Sequence, residues 1–574
     1  MATPLERLEE RRDNIYLQMS AVGDFRPGMI SVNFRRCGKK NCVCFQPDHP
    51  GHGPQYLWNT TQKGKSRAQN LRMGPELEKT EKEIANYRKF ARLYQEAIEV
   101  NEKICLLRPV PEMDEGNELE ELKKKLKEEV LQEARKEIHL LMTRVFQDKE
   151  KRGCLDMEAT ELSIRHSMHQ VGGVFLEKLI NADSGDHRGA RILCGSGHEA
   201  EFTDYRIKRV TTVLSEIEIK RAYYHCSDCQ KGLIPKDKDL DIENTSFSPG
   251  VRRMMARVGA KESFEEGRGD LEEMAGVRVT SKEVGRVSES IGSQIEMISH
   301  GERDLAMEGK VIPLFSPVPK LYIAIDGTGV PVVPSETEGR KGKQTSIAKT
   351  REAKLGCVFT QTQLDQKGFP IRDEGSTTYV GAIETAEEFG KRIYAEAVRR
   401  GVTRAQKVIL LGDGAVWIRG ISEDHFPNAI QIVDLFHALE HLWNIGKLVY
   451  GPTGEEVTRW FKKQKDELKE GDVKKVIVAI KWLQSQNQSV REEVKKTVGY
   501  FETNQDRMLY AEWIKQGLFV GSGVIEAGCK TIVGQRLKQS GMRWTVRGAN
   551  AIIALRCCQI SGRWEEFWEN RAAG

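Results

Sequence analysis

Apolar and polar positions along the chain follow two different periods, and the changes of period divide it. From Leu77 a seven-residue spacing runs through Leu77, Ile84, Ala91, Ile98 and Cys105, with Thr80, Tyr87, Tyr94 and Asn101 between, and predicts a helical seam of coiled-coil or hairpin type. The Pro109–Pro111 break ends it. A second, highly charged helix from about Glu118 to Gln147 carries Leu122, Leu126, Val130, Ile138, Leu141 and Val145 on one side. The two helices are expected to pair within the chain, with a second protomer as the alternative. Between Arg191 and Glu243 the period becomes two. Arg206–Val210, Val213–Ile219 and Arg221–Cys226 read as short strands of a β-ribbon flanked by cysteines.

From Gly250 to Ser299 the helical period returns. A helix over Ser263–Ala275 stops at Gly276, and Thr280 with Glu283 forms a capping box for a helix over Ser281–Ile291, which together make a helix-turn-helix. After Ile312 strands and helices alternate. Strand Leu321–Ile325 ends at Asp326-Gly-Thr-Gly, a second begins near Val330, and a third covers Lys354–Leu364. Thr385 caps a helix to Arg400. Strand Lys407–Leu411 ends at Gly412-Asp413-Gly, strand Ala429–Val433 ends at Asp434, and a helix covers Leu435–Leu448. Residues 453–515 are amphipathic and helical, and Gly521-Ser-Gly-Val-Ile-Glu526 opens a last long helix.

Composition narrows the classes. At 574 residues the chain needs several domains, and 39% hydrophobic with 30% charged residues excludes global disorder. No apolar run reaches bilayer length, and the charged start MATPLERLEERRDN lacks an apolar h-region, so a cytoplasmic protein without membrane contact is expected. Twelve cysteines are too few for a disulfide scaffold, and their clustering favours metal ligation. A net charge of +5 leaves local basic stripes to argue for a polyanionic partner.

Two buried strands end in an aspartate flanked by glycine, Asp326 and Asp413, where a ligand or ion can approach the backbone. Glu526, on a helix opened by Ser522, is the third candidate. Three carboxylates suit hard Mg²⁺ or Mn²⁺, and two such ions would clamp both oxygens of a phosphodiester exchange. Read from spacing alone, turn aspartates and a helix-capping glutamate remain the alternative. Asp434 and His437 stand one helical turn apart, either as an N-cap with a satisfied histidine or as a pair that orients a phosphate. Cys194, His198, Cys226 and Cys229 offer four ligands for tetrahedral Zn²⁺, with His225 as an alternative fourth and a redox CxxC as the rival. Cys37, Cys42 and Cys44 with His49 and His52 form another candidate zinc cluster among Arg35, Arg36, Lys39 and Lys40, against a reading as free thiols. Candidate nucleic-acid cations are Lys63, Lys65, Arg67 and Arg72; Arg340, Lys341, Lys343, Lys349 and Arg351; Lys530, Arg536, Lys538, Arg543 and Arg547; and Lys282 with Arg286 on one face of the second helix of the pair.

Three blocks resemble the catalytic blocks of DDE transposases of bacterial insertion sequences, with the ISKra group as the nearest match. They are Asp326-Gly-Thr-Gly-Val-Pro, Gly-Asp413-Gly-Ala-Val-Trp-Ile, and Gly-Ser-Gly-Val-Ile-Glu526-Ala-Gly-Cys-Lys through Arg-Leu-Lys-Gln-Ser-Gly-Met-Arg-Trp544. The resemblance extends to Arg-Ala-Tyr-Tyr-His-Cys226-x-x-Cys229 and Ser246-Phe-Ser-Pro-Gly-Val-Arg-Arg-Met-Met, about residues 160–560, and Asp434-Leu-Phe-His437 resembles the [Cys/Asp]-x-x-His signature of Mutator-like relatives. It implies an α+β multidomain fold with a ribonuclease H-like α/β catalytic core and an all-α insertion, preceded by helical, zinc-ribbon-like and helix-turn-helix segments. The expected divisions are a basic Cys/His-rich domain (1–75), a helical coiled-coil or linker region (76–150), a helix with a zinc-ribbon-like domain (151–245), a helix-turn-helix region (246–311), and the catalytic domain (312–574) with its insertion at about 453–515. It further implies that Asp326, Asp413 and Glu526 hold two Mg²⁺ ions, that Asp434 and His437 support them, and that water and then a freed 3′-OH attack phosphodiesters. The partners implied are double-stranded DNA, as element ends and target, and a homodimer or higher synaptic complex. A catalytically inactive DNA-binding regulator and a nuclease that cuts without joining are the rival functions.

Overall fold

The computed structural model describes residues 4–62, 65–108, 115–183, 186–311, 317–342 and 348–572. Lys63, Lys343, Ile312 and the Pro109–Pro111 break lie outside these, as do the side chains of Lys65 and Leu122. The chain divides into two compact units, residues 1–124 and 125–574.

In the first unit the basic Cys/His-rich domain expected at 1–75 contains helix α1 (Pro4–Ser20) and an antiparallel sheet of β1 (Met29–Arg35), β2 (His52–Gln62) and β3 (Lys65–Leu71) in the order β1-β2-β3. Helix α2 (Pro75–Leu107) is the expected seam helix and buries Thr80 and Ile84 of the expected stripe, but further along the buried stripe is Leu93, Ala97, Val100 and Ile104, packed with Ile15 and Leu8 of α1. Ala91, Tyr94 and Cys105 of the expected stripe are exposed. A straight helix repeats every 3.6 residues, so a seven-residue stripe drifts off a partner that does not supercoil with it.

Helix α3 (Glu115–Arg152) runs across the boundary, and α4 (Met157–Ala182) follows. The ribbon is a four-stranded antiparallel sheet in the order β4-β5-β6-β7, from β4 (Arg191–Leu193), β5 (Glu199–Thr211), β6 (Glu216–Cys226) and β7 (Lys231–Leu233). The expected strands 213–219 and 221–226 are one strand, which begins only at Glu216 because Thr212 Oγ1 accepts from the Leu214 and Ser215 amides and turns the chain there. Helix α5 (Pro235–Asp239) leads into α6 (Pro249–Lys261), α7 (Phe264–Ala275) and α8 (Ser281–Met307). Gly276 is left-handed (φ 69°), Thr280 and Glu283 form the expected capping box, and Ser263 with Glu266 forms a second one. Helix α8 runs sixteen residues past the expected Ile291, because Gly292 lets it lie directly on the backbone of Ala551. The expected helix-turn-helix region therefore shares one hydrophobic core with the α/β region.

That region is a five-stranded mixed sheet in the order β12-β9-β8-β13-β14. Strands β8 (Lys320–Pro331), β9 (Thr350–Gln361) and β12 (Thr378–Ala382) are antiparallel, with a small hairpin of β10 (Gln363–Leu364) and β11 (Pro370–Ile371) between the last two. After helix α9 (Ala386–Arg399), β13 (Lys407–Gly412) pairs parallel to β8; after α10 (Val416–His425), β14 (Ile430–Val433) pairs parallel to β13. One face, with Leu321, Ile323, Ile325 and Leu410, is covered by α9 and α10. The other, with Tyr322, Ala324, Ile409, Leu411 and Ile432, lies in the larger core that also takes in residues of α6, α7 and α8. Helices α11 (Leu435–Tyr450), α12 (Glu455–Lys469), α13 (Val473–Lys481), α14 (Gln488–Asn504) and α15 (Tyr510–Lys515) form the helical segment expected at 453–515 with its lead-in. The expected last long helix is broken into α16 (Gly523–Gly528), a π-helical turn (Cys529–Gly534) and α17 (Gln535–Leu537), followed separately by α18 (Val546–Ile560) and α19 (Trp564–Ala572). Among the described residues, no helix is long and apolar enough to cross a membrane.

Candidate active site

The sheet register sets the site. Leu411 of β13 pairs with Ala324 of β8, so two residues further on Asp413 stands level with Asp326. Strand β8 does not end at Asp326, as the sequence suggested, but continues paired with β9 to Pro331. What ends there is the parallel neighbour, whose last residue paired with β8 is Leu411. Side chains alternate across a sheet. Tyr322 and Ala324 lie on the helix-rich face, which puts Asp326 there; Ile409 and Leu411 do the same for Asp413, and Ile432 for Asp434. Three aspartates from three adjacent strands thus share one face at one rim.

Asp434 is fully buried. It caps α11 by accepting the His437 amide on Oδ1 (2.9 Å), and its Oδ2 accepts the amide of Ser522. Ser522 is the N-cap of α16, so the buried carboxylate ties the strand end directly to the start of the helix that carries Glu526. Ser522 Oγ then donates to Glu526 Oε1 at 3.3 Å. Helix α16 packs on β8 and β9 at Gly528, where a Cβ would strike Tyr379 and Leu355. One residue on, the thiol of Cys529 is hydrogen-bonded to Asp326. Glu526 and Cys529 are a helical turn apart, which places Glu526 on the rim side of α16. The π-helical turn that begins at Cys529 is a local insertion of the kind that re-aims side chains.

Burial holds the Asp326 carboxyl above its ordinary range, and the charge of Asp413 pushes the same way; the Cys529 thiol, the Gly327 amide and His437 act against it. The Asp413 Oδ1 accepts the Ala415 amide (2.8 Å), and its carbonyl accepts the Tyr500 hydroxyl (3.1 Å). Tyr500, on α14 of the helical segment, stacks on His441 with ring centroids 4.2 Å apart, and His441 meets His437 edge-on at 5.0 Å. Burial, reinforced by His437, lowers the His441 pKa, and burial raises that of Tyr500. Sequence reasoning named Ser522 only as the residue that opens the Glu526 helix, and it missed Cys529, His441 and Tyr500. Only His441 had a signal, four residues after His437 on one helix face.

Among the described residues, three groups of possible ligands have all their donor atoms within 4.8 Å of one another. They are Cys37, Cys42, Cys44 and His52; Cys194, His198, Cys226 and Cys229; and Glu467, Glu470 and Asp472. Asp326, Asp413 and Glu526 are not such a group. The ribbon cluster has Cys194 Sγ 3.6 Å from Cys229 Sγ and His198 Nδ1 3.0 Å from the same sulfur, with His225 left out. His49 is absent from the amino-terminal group, its Nδ1 accepting the Gly51 amide.

The candidate DNA cations separate. Lys282, Arg286, Arg340, Lys341 and Arg543 are exposed. Lys538 donates to Thr328 Oγ1 (2.5 Å) on β8, two residues from Asp326, so it stands at the rim. Arg536 is a correction: it is fully buried, donates to the Gly259 carbonyl (2.8 Å), and lies over Phe264 and Trp544. Burial, with help from Arg556, lowers its pKa to about 10. A guanidinium so enclosed joins α6 and α7 to the core and is closed to phosphate.

The class so defined is a mixed α/β protein with an aspartate-lined sheet rim and a separate Cys/His-bearing ribbon. Residues 196–571 match the Uncharacterised protein family (UPF0236), and the chain belongs to that family. Residues 5–80 match a Domain of unknown function (DUF6788). No curated protein matches. Among solved structures, the chain is similar to the Drosophila P element transposase strand transfer complex, at 8% identity over 57% of this chain and 82% of that one, with a TM-score of 0.21.

Proposed function

We propose that the chain is a DDE-type DNA transposase of an insertion sequence, of the ISKra group its sequence blocks resemble, which cleaves element ends and joins them to target DNA. The observation that carries this reading is the register that sets Asp326 level with Asp413 on the face where α16 bears Glu526. The strand order, three antiparallel strands followed by two parallel ones, supports a ribonuclease H-like core. The donor set fits hard divalent cations: all three groups are carboxylates, and a cation beside Asp326 would favour the ionised form that burial, and less so the charge of Asp413, disfavours. Asp326, Asp413 and Glu526 would hold two Mg²⁺ or Mn²⁺ ions, which supply activation of the attacking oxygen and charge stabilisation at the leaving one.

The chain's own residues do the rest. Asp434 fixes the start of α16 and so the reach of Glu526. Tyr500 pins the Asp413 backbone from the helical segment. His437, half-exposed beside the rim, is placed to donate to a phosphate oxygen. Lys538, with exposed Arg340, Lys341, Arg543, Lys282 and Arg286, would neutralise the backbone of duplex ends bound by a dimer or higher complex. The ribbon cluster would take a structural Zn²⁺.

The test uses duplexes carrying the element's ends. The wild-type chain with Mg²⁺ should cleave and then join them, while Asp413→Asn and Glu526→Gln should each retain binding in a gel shift and lose cleavage by at least about 100-fold, the scale of a lost transition-state contact. Wild-type cleavage by Glu526→Gln overturns the assignment; cleavage without joining favours a nuclease, and binding without cleavage an inactive regulator.

A further inference from the structure

The amino-terminal unit contains a sheet that its apolar contacts do not explain. Of the seven residues of β1, none is buried, and Met29, Val32 and Phe34 are exposed. The loop between β1 and β2 leaves Val43 and Phe45 exposed as well. Its buried residues are Cys44, 1% exposed, and Gly51, just before β2. A core this thin does not hold the 23 residues of β1 and the loop after it (29–51) in one conformation, and small folds in that position are held by a metal or a disulfide.

Four side chains converge there from three places: Cys37 just after β1, Cys42 and Cys44 on the short helical turn, and His52 at the first position of β2. Cys37 Sγ lies 3.5 Å from Cys44 Sγ, and Cys42 Sγ lies 2.9 Å from His52 Nε2. All four donor atoms are within 4.8 Å of one another. Zinc–sulfur bonds of about 2.3 Å in a tetrahedron put neighbouring sulfurs about 3.8 Å apart, whereas a disulfide needs about 2.05 Å. The separation fits two sulfurs on one metal and is not that of a disulfide.

The backbone is arranged for the same end. His52 pairs with Arg35 across β1 and β2 and is flanked by two glycines in the left-handed half of backbone space. A Cβ on Gly51 would press on the backbone of Arg35 at 3.1 Å, and one on Gly53 would sit 2.8 Å from the Asn33 carbonyl. These glycines let β2 begin close enough to β1 to bring the imidazole to the thiols. Arg36 donates to the carbonyls of Pro47 and His49, both at 3.0 Å, and closes the loop from outside.

We infer that Cys37, Cys42, Cys44 and His52 bind one structural Zn²⁺ that holds the sheet of residues 29–71, a site independent of the ribbon cluster and of the transposase reading. The ion's binding free energy is folding free energy for this module. Lys39 and Lys40, exposed on the knuckle between the first two ligands, are then displayed on a fixed loop.

Elemental analysis of the full-length chain, purified under reducing conditions, should find two zinc ions per chain. Cys37→Ser with Cys42→Ser should remove one, and Cys226→Ser with Cys229→Ser should remove the other. Because the first double variant can lose metal by misfolding, the second is also reconstituted with Co²⁺, leaving the amino-terminal set as its Cys/His cluster. Thiolate-to-cobalt charge-transfer absorption with tetrahedral d–d bands is expected. Their absence, an undiminished zinc content in Cys37→Ser with Cys42→Ser, or a Cys37–Cys44 disulfide without metal would each overturn the inference.

Discussion

Asp434→Ala tests whether the buried carboxylate couples the sheet rim to the Glu526 helix. The substitution removes the N-cap of α11, a loss of about 1 kcal/mol. It also leaves the amide of Ser522, a residue 8% exposed, without its acceptor, which costs about 1–3 kcal/mol. The expected destabilisation is about 2–4 kcal/mol. Unfolding entropy of about 2.1 cal/mol/K per residue over the roughly 450 residues of the second unit converts 3 kcal/mol into a fall in Tm of about 3 °C. Differential scanning calorimetry in EDTA measures that fall. Cleavage assayed well below the lowered Tm should drop by more than the folded fraction does, because Ser522 opens α16 and donates to Glu526. Asp434→Asn keeps one acceptor and the cap, and should fall between the two. A Tm within 1 °C of wild type would refute the stability argument. Full cleavage by a destabilised Asp434→Ala chain would refute the positional one.

Two further outcomes follow from the same geometry. Burial raises the Asp326 pKa, so its ionised form costs the metal-free fold stability. That cost is absent below the ordinary aspartate range near 3.9, grows as pH rises and is complete above the folded-state pKa, so in EDTA Asp326→Asn should melt higher than wild type at pH 7, with the gap closing toward about pH 3.5. A lower melting point at pH 7 contradicts this. Arg536→Met should destabilise the second unit by about 1–3 kcal/mol, since the Gly259 carbonyl loses its donor, yet leave the salt dependence of DNA binding unchanged. A salt slope flattened by about one would mean that Arg536 contacts phosphate after all.

Local signals in the sequence determined the elements that local chemistry specifies. The capping pair Thr280–Glu283, the left-handed Gly276, the strand ending at Asp413 and the helix after Asp434 all stand where side-chain type and spacing put them, because caps and short buried strands depend on near neighbours. So did both cysteine clusters, whose ligands lie close in sequence within each half. Helix α1 was missed, since its apolar residues show their face only against Leu93, Ala97 and Ile104, some ninety residues on. The same partner decided which stripe of α2 is buried. Arg536 read as a surface cation because charge is visible in sequence and enclosure is not; Phe264 and Trp544, 272 residues before it and 8 after it, make its pocket. The aspartates were legible one by one, but their common face depends on a parallel register between strands about ninety residues apart, and the helix that carries Glu526 is tied to that rim by the hydrogen bond that the Ser522 amide donates to buried Asp434. Residue type announces which groups can do chemistry, whereas pairing and burial, which sum over the whole chain, decide which of them meet.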